Sequence, residues 1–361
     1  CTEALLSGQE LDRSRIKNKL ERFGDSIVIA GSPRKMRVHV HTDQPAELFN
    51  ELYKCGTIVY QKVDDMVKQQ EISHSRKHTI ALLTDSTCDI PQEMLDEKQI
   101  HLVPLSIHFG DTYFLDRVTL KANQFYKMFE KSEEQPSSAQ PTISDFTNQF
   151  NYLSTHYEKI IAVHISSGLS GTVKNSTRSA HLISQQTGTD IAVIDSQRLT
   201  GSLGLLVLRV SEAIENGMDY EDILDQVDGW IAKNNSLVSV KTLKYMVKGG
   251  RVSPMKGKIG KLLNLKPIIS LDENGKAAQY SKSFSEKGSM KKIYSMLEDR
   301  FKGKKVWGYT INHVDNQKTA EWYAEKLTKL TGKPPLFVRD TSPVLGVNTG
   351  PGTVAVSYQL D

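Results

Sequence analysis

Cysteine is nearly missing from this sequence. Three residues, Cys1, Cys55 and Cys88, serve a chain of 361. So odd and sparse a set builds no disulfide framework and points to a reducing cytoplasm. Long apolar runs are also missing. The strongest, 203–208, is far shorter than a membrane span and reads as part of a soluble helix. No signal-peptide pattern opens the chain. There is no clear internal repeat or low-complexity tract. Charge of one sign is scarce too: the formal net charge of +4 is too small to imply nucleic acid by itself.

What is present is ordinary for a globular protein. Hydrophobic residues make up 38% and charged residues 24%, enough for a sizeable core. The length suggests two or three domains. The first residue is Cys rather than Met, and the chain opens directly into Cys1-Thr2-Glu3-Ala4-Leu5-Leu6. This reads as a fragment of a longer polypeptide.

Hydrophobic periodicity divides the chain. Residues 71–77 are polar and lack an apolar period, which sets a boundary there, with units at 1–76 and 77–361. The first unit reads as small α+β: helices at 12–23 and 45–54, strands at 26–30 and 36–41. The second alternates strands (79–83, around Ile107, 160–165, 191–195, 237–240, 268–271, 306–312, 336–339) with helices (170–186, 201–215, 220–233, 286–301, 317–330). A helix at 119–130 carries Thr119 as its N-cap, and Ile143, Phe146, Phe150 and Leu153 recur at helical spacing. Such alternation predicts an α/β fold with mostly parallel sheets. Two lobes, about 77–240 and 241–361, are expected, with exchange of a strand or helix between them.

Four loops carry the chemistry. Ile165-Ser166-Ser167-Gly168-Leu169-Ser170-Gly171-Thr172 follows a strand and opens a helix. Small residues admit close backbone approach, hydroxyls add donors, and a helix N-terminus favours an anion. The plain alternative is a Ser/Gly-rich cap. No Lys follows the second Gly, so it is not a P-loop. Pro136-Ser137-Ser138-Ala139-Gln140-Pro141-Thr142 is a stiffened turn whose Thr142 suits the start of the next helix. Thr84-Asp85-Ser86-Thr87-Cys88-Asp89 ends the first α/β strand, where open sheets place ligands, though an Asx turn explains it equally. Gly346-Val347-Asn348-Thr349-Gly350-Pro351-Gly352-Thr353 reads as a tight loop or a lid.

Together with Lys248-Gly249-Gly250-Arg251-Val252, these motifs resemble the DegV family over about four fifths of the chain, from Lys77 to Asp361. The resemblance implies a two-lobed α/β protein that buries a long-chain fatty acid between its lobes. In fatty acid kinase systems such a protein presents the carboxylate to a separate kinase. Carried over by motif, Ser166 or Ser167 and Ser138 would hydrogen-bond the carboxylate, within head-group loops that include Ser86, Gly168, Ser170, Asn348 and Thr349. Ser138 stands where the family commonly has Thr, and Ala139 where it often has Ser. Asn348 replaces a His that often precedes Thr-Gly-Pro-Gly; Asn donates a hydrogen bond but does not titrate.

Cys1-Thr2-Glu3, Gly24-Asp25-Ser26 and Val38-His39-Val40-His41-Thr42-Asp43-Gln44-Pro45 resemble instead the middle domain of the kinase component of fatty acid kinase, which is dihydroxyacetone-kinase-like. That resemblance implies zinc on Cys1, His39 and His41. His39 and His41, two apart on a predicted strand, point to one face, and Cys1 adds the thiolate that zinc accepts. The bland alternative is an exposed strand.

Residues 241–266 hold seven Lys and Arg251 with no acid. Nucleic acid is a rival partner, but only Tyr245 interleaves the charges; a solvated surface is the plain alternative. The family resemblance implies a kinase-docking surface centred on Arg251. A second rival is a serine hydrolase acting on acyl esters through Ser167 with His164 as base. The expectation carried forward is a cytoplasmic, non-catalytic fatty-acid-binding module without nucleic acid or membrane span. It would need no cofactor for the lipid and would serve a kinase domain that is upstream in the same chain or separate.

Overall fold

Alternation of buried and exposed residues builds the first sheet. In the computed structural model, which describes residues 1–133, 135–252 and 265–361, β1 (Thr2–Ser7) turns Thr2, Ala4 and Leu6 inward. α1 (Arg13–Leu20) starts at Asp12, whose carboxylate accepts from Arg15 N at 3.0 Å. β2 (Asp25–Ser32) and β3 (Lys35–His41) form a hairpin, α2 (Pro45–Tyr53) opens on a proline, and β4 (Thr57–Val63) completes an antiparallel sheet in the order β2-β3-β1-β4. The polar stretch at the expected boundary is largely helix. α3 (Met66–Ser75) is capped by Asp65, which accepts from Lys68 N at 3.1 Å, and buries only Ile72. With one buried apolar residue it has no period to read.

Next come β5 (Ile80–Asp85), a 3₁₀ turn (Ser86–Cys88), α4 (Gln92–Glu97), β6 (His101–Val103), β7 (Ser106–Phe109), β8 (Thr112–Leu115), α5 (Ala122–Lys131) and β9 (Ser137–Ala139). α5 begins at Ala122, not at Thr119. Thr119 is fully buried, and its hydroxyl donates to Gln61 Oε1 at 2.6 Å and accepts from Leu115 N at 2.7 Å, so it is not available as a cap. α6 (Ile143–Ser154) does take Thr142 as cap, in a box with Asp145. β10 (Lys159–His164), α7 (Thr172–Thr187) and β11 (Asp190–Asp195) follow, then α8 (Thr200–Glu215), α9 (Tyr220–Ala232), β12 (Asn234–Ser239), α10 (Lys244–Lys248), β13 (Lys266–Leu271), β14 (Ala277–Ser283), α11 (Glu286–Phe301), β15 (Val306–His313), α12 (Gln317–Thr331), β16 (Phe337–Asp340), α13 (Pro343–Thr349) and β17 (Val354–Leu360).

Packing divides the described chain into two units: Cys1–Arg76 with Pro104–Ala139, and Lys77–Val103 with Gln140–Asp361. Residues 104–139, expected within the second part, stand by their packing with the first. Their strands form a small antiparallel sheet, β8-β7-β9. The expected 240/241 lobe boundary separates β12 from the later strands with which it shares a sheet.

The second unit contains two sheets. In β11-β10-β5-β6 every pairing is parallel, and Ile160, Ile161, Ala162 and Val163 are all fully buried, as strands covered on both faces must be. The six-stranded sheet β14-β13-β12-β17-β15-β16 is parallel only between β15 and β16. A short turn at 272–276 joins β13 to β14, and such a connection permits only antiparallel pairing. One face is apolar: Leu237, Val356 and Ile311 align across three strands and lie in one cluster with Leu297 of α11 and Tyr323 of α12. The other face is small and polar: Ser236, Ser357 and Thr310 align one position along. α8, buried almost throughout its first nine residues, packs against strands of both sheets. Among the described residues no helix is long and apolar enough to cross a membrane.

Two helical glycines predict opposite effects. A Cβ on Gly201 would lie 2.0 Å from Thr310 Oγ1 and 2.5 Å from Asn312 Oδ1, whereas one on Gly229 meets nothing within 4 Å. Gly201→Ala should lower the unfolding free energy by about 1–3 kcal/mol through overpacking. Gly229→Ala should raise it by about 0.5–1 kcal/mol. Urea denaturation measures both; equal effects would contradict the close seating of α8.

Candidate functional site

The serine-glycine loop leaves the parallel sheet at its carboxyl edge, and buried groups hold it. Asp85, at the end of β5, is fully buried. Its Oδ1 accepts from Thr87 N at 3.0 Å and from the Thr87 hydroxyl at 2.5 Å. Its Oδ2 accepts from Ile165 N at 2.8 Å and lies 3.3 Å from His164 Nδ1. One carboxylate thus binds the Thr84–Thr87 loop to the start of the serine-glycine loop. Ser86 is fully enclosed in the turn.

The two candidate serines part company. Ser166 is buried; its hydroxyl donates to Gly275 O at 2.8 Å and accepts from Gly168 N at 3.1 Å. A Cβ on Gly168 would come within 2.7 Å of Asn274 O, so only glycine lets the loop lie against that turn. Ser167 is exposed. Its N–H donates to Asp195 Oδ1 at 3.1 Å, while its hydroxyl makes no hydrogen bond to the described residues. Ser170 Oγ lies 2.8 Å from Thr172 Oγ1. α7 then starts at Thr172 behind Gly171, which has no side chain to cap it, while Thr172 N donates to Ser170 Oγ at 3.4 Å.

The hydrolase arrangement is not formed. His164 Nε2 lies 2.9 Å from Ser176 Oγ, and both residues are fully buried, as is Asp85. The Asp85–His164–Ser176 chain has the order of a triad but no surface for a substrate, and Ser167 is not the histidine's partner.

The closing motif is helix rather than loop through Thr349. Pro343 sits in the first turn of α13 and Gly350 ends it at φ +79°. Asn348 Nδ2 donates to Val344 O and Thr349 Oγ1 to Leu345 O, both at 2.9 Å, so both side chains turn back on their own helix. α10 packs against α13, with Gly249 close beneath Asn348 Oδ1. Arg251, half-buried, donates from Nη1 to Gly249 O. Lys256, Lys258 and Lys261 of the expected basic run lie outside the described residues. Ser138 is half-buried on β9, opposite Ile107 of β7, in the first unit.

In that unit one end of the sheet gathers Cys1, His39 and His41, whose ligand atoms all lie within 4.8 Å of one another. Cys1 Sγ is 3.9 Å from His39 Nδ1, and the rings are 5.1 Å apart. Tetrahedral zinc bonded to sulfur and nitrogen holds such atoms about 3.6 Å apart, so the donor set fits that ion. Glu3 Oε1 is 3.6 Å from His39 Nδ1, and its hydrogen bond from Arg37 keeps its carboxyl below the usual range.

Sequence reasoning missed Asp85 and Asp89 as ties. Asp89, in the left-handed region at φ +52°, accepts from Thr200 Oγ1 at 2.6 Å, Thr341 Oγ1 at 3.0 Å and Ser342 N at 2.8 Å. The only signal was an acidic pair in a turn motif, and Asp89's partners are more than a hundred residues away.

Residues 79–361 match the family described as "Uncharacterised protein, DegV family", and residues 1–73 match the FakA-like middle domain of fatty acid kinase. A DegV domain-containing protein of Clostridium acetobutylicum is 31% identical over 279 residues, covering 77% of this chain and 97% of the relative. The protein DegV of Bacillus subtilis is 28% identical over 281 residues, covering 77% of this chain and 98% of the relative. Its crystal structure, described as that of a fatty acid binding protein, superposes with a TM-score of 0.70 over 79% of this chain and 100% of that one. A fatty acid binding DegV family protein from Streptococcus agalactiae gives 0.71 at 26% identity, covering 79% and 99%. The chain belongs to the DegV family.

Proposed function

We propose that the DegV part of this chain binds one long-chain fatty acid and presents its carboxylate to a kinase domain. The observation that carries this reading is Ser167: an outward hydroxyl without a partner among the described residues, on a loop held by buried hydrogen bonds, just before the start of α7. The relatives described as fatty acid binding proteins support it.

The energetics are those of an amphiphile. Burying roughly 14 methylenes at ~0.8 kcal/mol each supplies on the order of 10 kcal/mol before binding costs. A carboxylate leaving water needs donors. Ser167, Ser170 and the N–H groups of α7 that follow Thr172 would supply them, and Ser138 is the further hydroxyl that the family motif assigns. Ser166 acts instead as a clasp on the turn at Gly275. Hydroxyls and amides suffice, so the lipid needs no cofactor, and this part acts by holding rather than by reacting.

Delipidated protein should take up about one equivalent of palmitate or oleate. Ser167→Ala should weaken binding by about 1–3 kcal/mol, the range for hydrogen bonds to a charged group, with the melting temperature unchanged. Native mass spectrometry and displacement of a fluorescent fatty acid measure these. Absence of saturable uptake would end the lipid reading; unchanged affinity in Ser167→Ala would remove the head group from this loop.

Arg251 is assigned to the kinase side. Its guanidinium holds Gly249 O through one nitrogen and keeps further N–H groups that suit a carboxylate or phosphate. With a cognate kinase domain supplied, Arg251→Ala should reduce acyl phosphate formation several-fold and leave lipid affinity unaltered. Equal losses, or none, would defeat the docking role.

Cys1, His39 and His41 would hold zinc. The ion would supply a fixed positive charge and tie these three residues together, a role for the kinase-like unit rather than for the lipid. Metal analysis of purified protein should find about one zinc per chain, lost in His39→Ala. Cobalt substitution should produce a thiolate charge-transfer band that vanishes in Cys1→Ser. A cobalt spectrum without thiolate character would exclude Cys1 as a ligand.

A further inference from the structure

β4 is an edge strand, and an edge leaves backbone N–H groups without a strand partner. Here β8 covers them with side chains. Ile58 N donates to Thr112 Oγ1 at 3.2 Å, and Gln61 N to the Tyr113 phenol oxygen at 3.3 Å. The side chain of Gln61 completes the joint. Its Nε2 donates to Tyr113 O at 2.7 Å, and its Oε1 accepts from the Thr119 hydroxyl at 2.6 Å. Gln61 is 6% exposed, and Thr112 and Thr119 are buried. An amide satisfied at both ends in a buried joint is costly to lose, because each group left unpaired bears its full desolvation penalty.

Two further contacts reinforce this. Phe114, fully buried, meets the Tyr53 ring of α2 edge-on at 5.5 Å. Lys121 reaches Glu47 at 2.9 Å, an exposed pair of little weight. From β8 the register runs to the serine: Tyr113 pairs with His108 and His108 with Ser137, while Phe114 pairs with Ile107 and Ile107 with Ser138. The His108 ring stacks on Tyr113 at 5.7 Å, and burial pushes its imidazole pKa down, which favours the neutral ring in that stack.

We infer that Gln61 is a positioning residue for Ser138: it fastens β8, and through β7 the strand bearing that hydroxyl, to the sheet that carries His39 and His41 beside Cys1. The inference rests on the proposed role of Ser138 at the carboxylate. Ser138 and the Cys1–His39–His41 cluster then belong to one folded body, although the chain between Gln61 and Ser138 passes through β5 and β6 of the other unit. Disturbance of the kinase-like sheet would reach the lipid through this joint.

The test uses the full chain with Gln61→Leu, the milder Tyr113→Phe, and Ser138→Ala. Hydrogen exchange is followed at β7 and β9 amides with β10 as control, and fatty acid affinity by displacement of a fluorescent fatty acid. Gln61→Leu should speed exchange in β7 and β9 but not in β10, and weaken affinity roughly tenfold, to the level of Ser138→Ala. Tyr113→Phe should shift both readouts in the same direction by less, and it keeps the test valid should Gln61→Leu fail to fold. Faster exchange with unchanged affinity, while Ser138→Ala loses affinity, overturns the coupling and leaves the carboxylate reading intact. Unchanged affinity in Ser138→Ala removes that serine from the carboxylate, and the inference falls with it.

Discussion

A carboxylate without solvent contact costs several kcal/mol unless donors surround it, and Asp85 is such a carboxylate. Thr87 and Ile165 surround it, with His164 beside them, and these residues belong to two different strand ends. The candidate site follows from that requirement. With Ile165 N held on Asp85 and Ser166 N on Arg198 O, Ser166 turns inward to Gly275, and Ser167 is left facing out. The same demand explains why a histidine lies in the core of this domain: His164 fills the remaining space beside Asp85 and uses its other nitrogen on Ser176.

The six-stranded sheet shows a second constraint. Its apolar face has ordinary core packing; Tyr323 is enclosed there, and burial raises its phenol pKa far above the usual range. Its polar face accommodates α8 only because Gly201 lacks a side chain where Thr310, Asn312 and Ser357 converge. Asp89 then holds the first residue of α8 and the segment entering α13 on one carboxylate. Both buried acids therefore bring loops together.

The proposed roles are divided along the same lines. Donors open to a ligand sit on the exposed side of the serine-glycine loop. Arg251 and Asn348 cluster where α10 meets α13, and the thiol and imidazoles gather at the end of a separate antiparallel sheet. The DegV sequence is interrupted in space, because 104–139 pack on β4 and α2 of the preceding segment.

The alternating α/β elements, the strand of His39 and His41, and the serine-glycine loop between β10 and α7 were legible in the sequence. Each rests on local physics: a period of two, a continuous buried run, small residues at a helix start. It did not reveal α3, whose single buried Ile72 leaves no period, or the loss of Thr119 as a cap, because its competing partner Gln61 lies 58 residues away. Which serine is spent and which is free follows from long-range contacts. Ser166 and Ser167 are adjacent and chemically alike. The choice between them comes from Gly275, 109 residues distant, whose carbonyl takes the Ser166 hydroxyl, and from Asp195, 28 residues distant, which holds the Ser167 N–H and leaves its hydroxyl to solvent.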